Sequence, residues 1–338
     1  GVAAADVTLS GDARMGIIHD NTKTANKTSF TSRARVTFTL TGETDSGLAF
    51  GGSFRADNAG GAAAGTAGSV FISGDFGRLT LGDTNGAAEA RNGDLHGVGL
   101  TGLGDLNEFT YLSNAAAGRP TARYDYTIDG FSFSISHTNP GVASKVMSAG
   151  IGYAMDGFTV GLGAERQNAT AGVAAVPAVA GVATCGAGNI NLVASAIAGG
   201  LVCTSGSPTV VASVPGVAAV APIGTLTHYV VSAGYSMDGI SVKAMYGRLK
   251  EAGATQPLAA AGFAAKDQYG LSASGTFDAI TVSAFGRRDF AKDTHIGVGA
   301  AYNLGGGATL RGGVVNTNFN AANKKSRTVG DLGLAFTF

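Results

Sequence analysis

The sequence predicts an all-β chain, a 16-stranded antiparallel transmembrane β-barrel. Three observations carry this. Apolar and polar residues alternate with period two through about sixteen segments of the 338 residues, and strand side chains point to opposite faces with that period. Connections alternate between tight turns and long loops, as in outer-membrane barrels. The last segment, residues 328–338, puts Leu332, Leu334, Phe336 and Phe338 in one phase, and Asp331 and Thr337 in the other. An apolar strand left at an edge would be a hazard; paired with the first strand, it closes the sheet.

Taken in order, each segment has an outward apolar phase and an inward polar one. Val7, Leu9, Met15 and Ile17 oppose Thr8, Ser10, Asp12 and Arg14. Phe30, Val36, Phe38 and Leu40 oppose Thr31, Arg33, Arg35 and Thr37, and Phe50 and Phe54 oppose Ser53 and Arg55. Tyr124, Tyr126 and Ile128 oppose Arg123, Asp125 and Thr127; Phe131, Phe133 and Ile135 then alternate with serines. Val160 and Leu162 oppose Thr159 and Glu165, Ile280 and Val282 oppose Thr281 and Ser283, and Leu310 and Val314 oppose Thr309 and Arg311. Asp129-Gly130, Asp156-Gly157, Asp238-Gly239, Asp278-Ala279 and Gly305-Gly306-Gly307 punctuate these runs. Asp-Gly between alternating runs marks a tight hairpin, because both turn positions accept positive φ.

Composition agrees. With 54 glycines, 14% charged residues, no tryptophan and 23 basic against 23 acidic residues, the chain is too apolar for disorder and too balanced for a nucleic-acid binder. No uninterrupted apolar run is long enough for a transmembrane helix. The start, Gly1-Val2-Ala3-Ala4-Ala5, reads as a mature terminus from which any secretory leader has been removed. All seven prolines fall in or beside long connections, where no ladder hydrogen bond is lost. Nine cations, Arg14, Arg33, Arg35, Arg55, Arg78, Arg123, Lys243, Arg287 and Arg311, take the inward phase. A cation facing lipid at mid-membrane would cost about 2–4 kcal/mol.

Two connections stand apart. Residues 84–120 carry Glu89, Asp94, Asp105 and Glu108 but only Arg91 and Arg119 as basic residues, and a connection this long is usually functional. Residues 167–227 contain only Arg-free, acid-free sequence broken by four prolines, and read as a long uncharged external loop. Cys185 and Cys203 lie in it; an even count in an exported loop favours a disulfide, with free thiols the alternative. The whole chain, residues 1–338, is read as one barrel domain with these two connections as its loops.

Ser10-Gly-Asp-Ala-Arg-Met15, Ser32-Arg-Ala-Arg35, Thr44-Asp-Ser-Gly47, Ala87-Ala-Glu-Ala90 and Gly93-Asp-Leu95, with the apolar ending, resemble the general porins of alphaproteobacteria, the Rhodobacter type. The resemblance covers nearly the whole chain. It implies a trimeric barrel of the bacterial outer membrane whose third loop folds inward and sets acids against an arginine cluster on the wall. By position, the loop is 84–120 with Glu89, Asp94, Asp105 and Glu108, and the cluster is Arg14, Arg33, Arg35 and Arg55. A terminal aromatic, here Phe338, marks such chains for insertion. The chain departs from the family in its uncharged segment and in having fewer acids in the third loop.

The expected function is passive diffusion of ions and small hydrophilic solutes through a water-filled channel. Acids facing arginines across a narrow water path create a transverse field that favours polar solutes. The expected partners are two further copies in a homotrimer, outer-membrane lipid and the solutes. No cofactor is required; the resemblance alone implies bound calcium, and no motif supports it. The five histidines are scattered without metal-ligand spacing. Gly161-Leu-Gly163 and residues 305–313 lack the Gly-Lys-Ser/Thr ending of a phosphate loop. No Ser-His-carboxylate pattern points to catalysis. The rival readings are a substrate-specific channel of the same fold, and a non-conducting barrel enzyme or adhesin.

Overall fold

The computed structural model describes residues 6–57, 68–115, 118–142, 145–169, 183–184, 209–210, 224–252, 263–321 and 324–338. Its contacts divide the chain into two compact units, residues 1–170 with 224–338, and residues 171–223. In the second unit, β10 (Ala183–Thr184) pairs antiparallel with β11 (Thr209–Val210). Cys185 and Cys203 lie outside the described residues.

The first unit is a closed barrel. Its first half comprises β1 (Asp6–Asp20), β2 (Thr28–Glu43), β3 (Ala49–Asp57), β4 (Gly68–Gly74), β5 (Gly77–Gly82), β6 (Thr121–Ile128), β7 (Phe131–His137), β8 (Val146–Met155) and β9 (Phe158–Gln167). The second half comprises β12 (Thr225–Met237), β13 (Ile240–Ala252), β14 (Asp267–Phe277), β15 (Ile280–Arg288), β16 (Thr294–Gly305), β17 (Ala308–Asn318) and β18 (Arg327–Thr337). Every strand pairs with its sequence neighbours, β9 with β12 and β18 with β1, giving the sixteen-membered ring that the alternation predicts.

The turn chemistry is as expected. Asp129-Gly130, Asp156-Gly157 and Asp238-Gly239 all have positive φ at both residues, and Gly305, Gly306 and Gly307 do likewise. These turns share one end of the barrel with the two chain termini, while the 83–120 connection lies at the other end, where β9 ends and β12 begins; the segment read as an external loop, 167–227, falls largely outside the described residues. In outer-membrane barrels the short turns are periplasmic and the long loops external.

Alternation fixes the two faces. Phe131, Phe133, Ile135, Phe158, Val160 and Leu162 are exposed on the outward face, as are Leu332 and Phe338. The nine cations named above hold the inward phase. Arg166, Arg248, Lys250 and Arg288 take the outward phase instead, all close to the long-loop ends of their strands, where a long side chain reaches the water interface.

Closure extends to the final residue. The Phe338 N–H donates to the Gly11 carbonyl at 2.9 Å, and the Gly11 N–H donates to the Phe338 carbonyl at 3.3 Å. Removing Phe338 deletes both bonds and an outward ring that is 79% exposed. Within a hydrocarbon layer no water replaces those bonds. Outer-membrane insertion of the truncated chain, measured as heat-modifiable protein, is expected to fall severalfold while secretion is unchanged; insertion at the wild-type level would refute this role.

Candidate functional site

The inward arginines of β1–β3 form one cluster with two aspartates. Arg33 Nη2 donates to Asp12 Oδ1 at 2.5 Å, and Arg35 grips Asp57 through two bonds, at 2.8 and 3.0 Å. Arg55 Nε lies 3.8 Å from Asp57, and Arg35 Nη1 lies 3.9 Å from Asp12. Register sets Arg14 directly opposite Arg33, an arrangement of like charges that destabilises a ladder. Within this cluster, four cations against two anions leave a local excess of two positive charges. Arg55 remains about half exposed and Arg33 and Arg35 about one-fifth.

The 83–120 connection packs against a different sector of the same face. It contains two elements that period-two reading does not detect, α1 (Ala87–Asn92) and a 3₁₀ turn, Leu112–Asn114. The Ala-Ala-Glu-Ala run is made of strong helix formers. No side chain of its own caps α1; wall serines accept instead, Ser136 Oγ from the Ala87 N–H and Ser148 Oγ from the Ala88 N–H, at 2.9 and 2.8 Å. The approach requires glycine at inward position 163, where a Cβ would stand 2.7 Å from that of Ala88.

Beyond α1 the segment follows the wall. The His96 N–H donates to Ser272 Oγ on β14 at 3.0 Å. Gly99 lies so close to Gly313 of β17 that a Cβ there would meet its nitrogen at 2.7 Å. The Asp331 carboxylate of β18 accepts the Leu100 and Thr101 N–H groups and the Thr101 hydroxyl, at 2.9, 2.7 and 2.7 Å. The chain then turns back. Gln268 of β14 exchanges two hydrogen bonds with the Thr110 backbone, at 3.0 and 2.9 Å. Glu165 of β9 accepts the Leu112 and Ser113 N–H groups and the Ser113 hydroxyl, at 2.8, 3.2 and 2.5 Å.

Glu165 also faces His228 Nδ1 at 2.9 Å, and both side chains are fully buried. A proton on Nδ1 leaves Nε2 to accept from the Gln268 amide, 3.3 Å away. The apolar part of the seat comes from inward positions occupied by Val230, Met245, Phe285, Val315 and Val329, which pack with Leu95, Val98, Leu103, Phe109 and Tyr111 of the segment.

The four predicted acids do not share one environment. Asp105 and Glu108 are exposed. Asp94 Oδ1 accepts the Phe109 N–H at 2.7 Å and braces the segment internally. Glu89 is buried, and its Oε2 has no partner among the described residues. Burial, and then the negative charge of Asp94, push the Glu89 carboxyl up to about 7, with Glu108 and Glu165 adding to the shift and the Asn114 amide opposing it. Burial raises Asp94 as well, against the Phe109 N–H and the charges of Lys243 and Arg287.

The structure therefore brings Arg14, Arg33, Arg35 and Arg55 together, and gathers Glu89, Asp94 and Glu108 near Lys243 and Arg287 rather than near those arginines. Lys243 is on β13, seven strands from β2 around the ring of sixteen and so almost opposite it. Reading the sequence missed the anchors Glu165, His228, Gln268 and Asp331. A signal for them existed, since five apolar residues in the inward phase of otherwise polar-facing strands mark a covered wall. Among the described residues, no group of three or more His, Cys, Asp or Glu is placed to hold a metal ion.

Glu89 generates a pH prediction. Its folded-state pKa lies above the unfolded value, so the folded chain binds the extra proton between about 4.5 and 7, and stability falls as pH rises through that window. The difference is on the order of 3 kcal/mol. Thermal denaturation of the wild type is expected at lower temperature at pH 8 than at pH 5, with a smaller difference in Glu89→Gln. Equal pH dependence in the two proteins would contradict the assignment.

Comparison with known proteins agrees with this architecture. The family model described as Gram-negative porin matches residues 1–322. A porin of Rhodobacter capsulatus is 33% identical over 352 aligned positions, covering 98% of this chain and all of that one. A porin structure refined at 1.8 Å superposes with a TM-score of 0.69 at 28% identity, covering 98% of this chain and all of that one. A mutant of the Rh. blastica porin superposes with a TM-score of 0.60 at 19% identity over the same shares, a likeness of fold alone. The chain belongs to the Gram-negative porin family, the outer-membrane channels for diffusion.

Proposed function

We propose that the water path narrows between the β1–β3 arginine wall and the 83–120 segment, and that this constriction selects among ions and small hydrophilic solutes by charge and hydration. The observation that carries the reading is the separation of the two clusters. The segment is bonded to β7–β9, β14 and β18, while the side chains of Arg33, Arg35 and Arg55 keep their exposure on the wall that it leaves uncovered. Exposed Asp105 and Glu108 are the acids best placed to act on solutes. Glu89 and Asp94, turned to packing and bracing, contribute less than their number suggests.

The same reading makes the protein a passive, non-catalytic pore that assembles as a homotrimer in outer-membrane lipid. The low-charge outward faces of β1, β2 and β18, with exposed Val7, Leu9, Met15, Phe30 and Leu332, suit contact between copies. A channel dedicated to one solute would instead show a saturable current block by that solute.

Single-channel recording in a planar bilayer tests this reading. Openings should close in three equal steps. In a salt gradient, Arg33→Ala/Arg35→Ala should shift the reversal potential toward cations by several millivolts, and Asp105→Asn/Glu108→Gln toward anions. Both shifts should shrink in molar salt, where the Debye length falls from about 8 Å to about 3 Å. If the arginine change acts but the acid change leaves selectivity and conductance untouched, the loop does not border the water path.

A further inference from the structure

Between the seated segment and the short-turn end, the inner wall holds two adjoining recesses. The upper one, about 250 Å³, lies under Gly97, Val98 and Gly99 and has Gly299 and Ala301 of β16 as its floor. The lower one, about 420 Å³, runs on toward the 305–307 turn past Asn303, Thr309 and Thr337. They meet at Thr281, Ala301 and Arg311, which line both. The seat shapes the upper recess: a Cβ at position 299 would stand 3.0 Å from the Gly99 nitrogen and from the Val98 Cβ. Arg311 precedes Gly313 by two residues, about 7 Å along β17 from the point where Gly99 touches the wall.

Donors with unused capacity surround the upper recess. Arg311, Ala301 and Thr281 stand on one row across β17, β16 and β15. The Arg311 side chain is exposed and has neither ion pair nor hydrogen bond among the described residues. The Thr281 hydroxyl is bonded to that of Thr276 at 3.0 Å, and the Ser283 hydroxyl to that of Ser274 at 2.9 Å. Each such pair uses one hydroxyl proton between its members and has a second left to donate. The N–H groups of Gly97, Val98 and Gly99 have no acceptor among the described residues. Of the residues lining the two recesses, Arg311 is the one that carries charge, and none is a carboxylate. The nearest acid by register, Asp12 opposite Thr337, is held by Arg33 at 2.5 Å. A guanidinium fork among free N–H and O–H donors matches a phosphate.

Taking the water path to pass between the arginine wall and the 83–120 segment, as proposed above, we infer that the two recesses form a binding station for a small phosphorylated sugar. Arg311, the hydroxyls of Thr281 and Ser283 and the amides of residues 97–99 take the phosphate. Asn303, Thr309 and Thr337, polar and uncharged, take the hydroxylated body. Together the recesses fall within the ~300–1,000 Å³ range of small-molecule sites. Only β18 separates Arg311 from Arg14 of β1, and it presents Gly333 and Ala335 there. The station therefore adjoins the arginine wall, with no bulky side chain between them.

Phosphorus NMR line broadening of glucose 6-phosphate, and in parallel of inorganic phosphate, by the folded protein in detergent tests the proposal. It reads occupancy without conductance, so an empty station and a misplaced constriction give separate results. The wild type should bind both, and glucose 6-phosphate more tightly. Arg311→Gln should weaken both about tenfold, the worth of a hydrogen bond to a charged group. Arg311 makes no side-chain bond to the wall, so the variant should keep its heat-modifiable migration. Arg78→Gln removes the same charge from the inward face beside the turn before β5, and should leave binding unchanged. Thr309→Leu, which fills the lower recess, should weaken glucose 6-phosphate severalfold and spare inorganic phosphate. Equal binding by wild type and Arg311→Gln would overturn the proposal. So would an equal loss in Arg311→Gln and Arg78→Gln, which would reduce the effect to the charge of the lumen as a whole. Equal loss of both phosphates in Thr309→Leu would overturn the placement of the sugar.

Discussion

A backbone crossing hydrocarbon has no water to satisfy its N–H and C=O groups, so every one must pair within the protein. Here that constraint is met by a ring of sixteen strands whose last pairs with its first, down to the reciprocal bonds between Phe338 and Gly11. Closure leaves two faces and a period of two to divide the sequence between them. Lipid takes one phase and water the other, and the inward cations and outward Leu, Ile and Phe side chains follow from that division. The wall is thereby fixed before any functional residue is placed on it.

The inner face then carries two incompatible tasks in separate sectors. Over β7–β9 and β12–β18 it is a seat: glycine where a backbone must approach, serine hydroxyls under a helix start, and carboxylates aimed at backbone N–H groups. Glu165 and Asp331 each accept three hydrogen bonds from the 83–120 segment. Such charge-assisted bonds are roughly twice as strong as neutral ones. Over β1–β3 the face is instead a charged surface left open, and it tolerates Arg14 directly opposite Arg33. Packing alone does not favour placing those two together; Asp12, bonded to Arg33 at 2.5 Å, offsets part of the repulsion, and the proposed role in the water path accounts for keeping both.

The barrel was legible from residue patterns because its rules are local. Alternation located the strands, Asp-Gly located the hairpins, and the parity of Arg14, Arg33, Arg35 and Arg55 put them on one face. The site was legible only in part. Glu89 and Asp94 look like pore-lining acids in the sequence, yet one is buried and the other braces Phe109. Their environment depends on contacts with β9, β13 and β15, more than fifty residues away in the chain, which no local pattern reports. Helix α1 was hidden because a search for period-two alternation passes over a six-residue helix. The five inward apolar residues from Val230 to Val329 were visible throughout, and they were the sign that something covers that wall.

The central claim is that the inner face holds the 83–120 segment across the water path through Glu165 and Asp331. Conductance of a Glu165→Ala/Asp331→Ala protein tests it most directly. Six donors of the segment, and His228 Nδ1 on the wall, lose their acceptors, at about 1–3 kcal/mol for each one left buried, while the strand ladders are untouched. The barrel should keep its heat-modifiable migration, and its single-channel current should become noisy and larger as the segment leaves its seat. A quiet current of wild-type amplitude from a folded barrel would contradict the account.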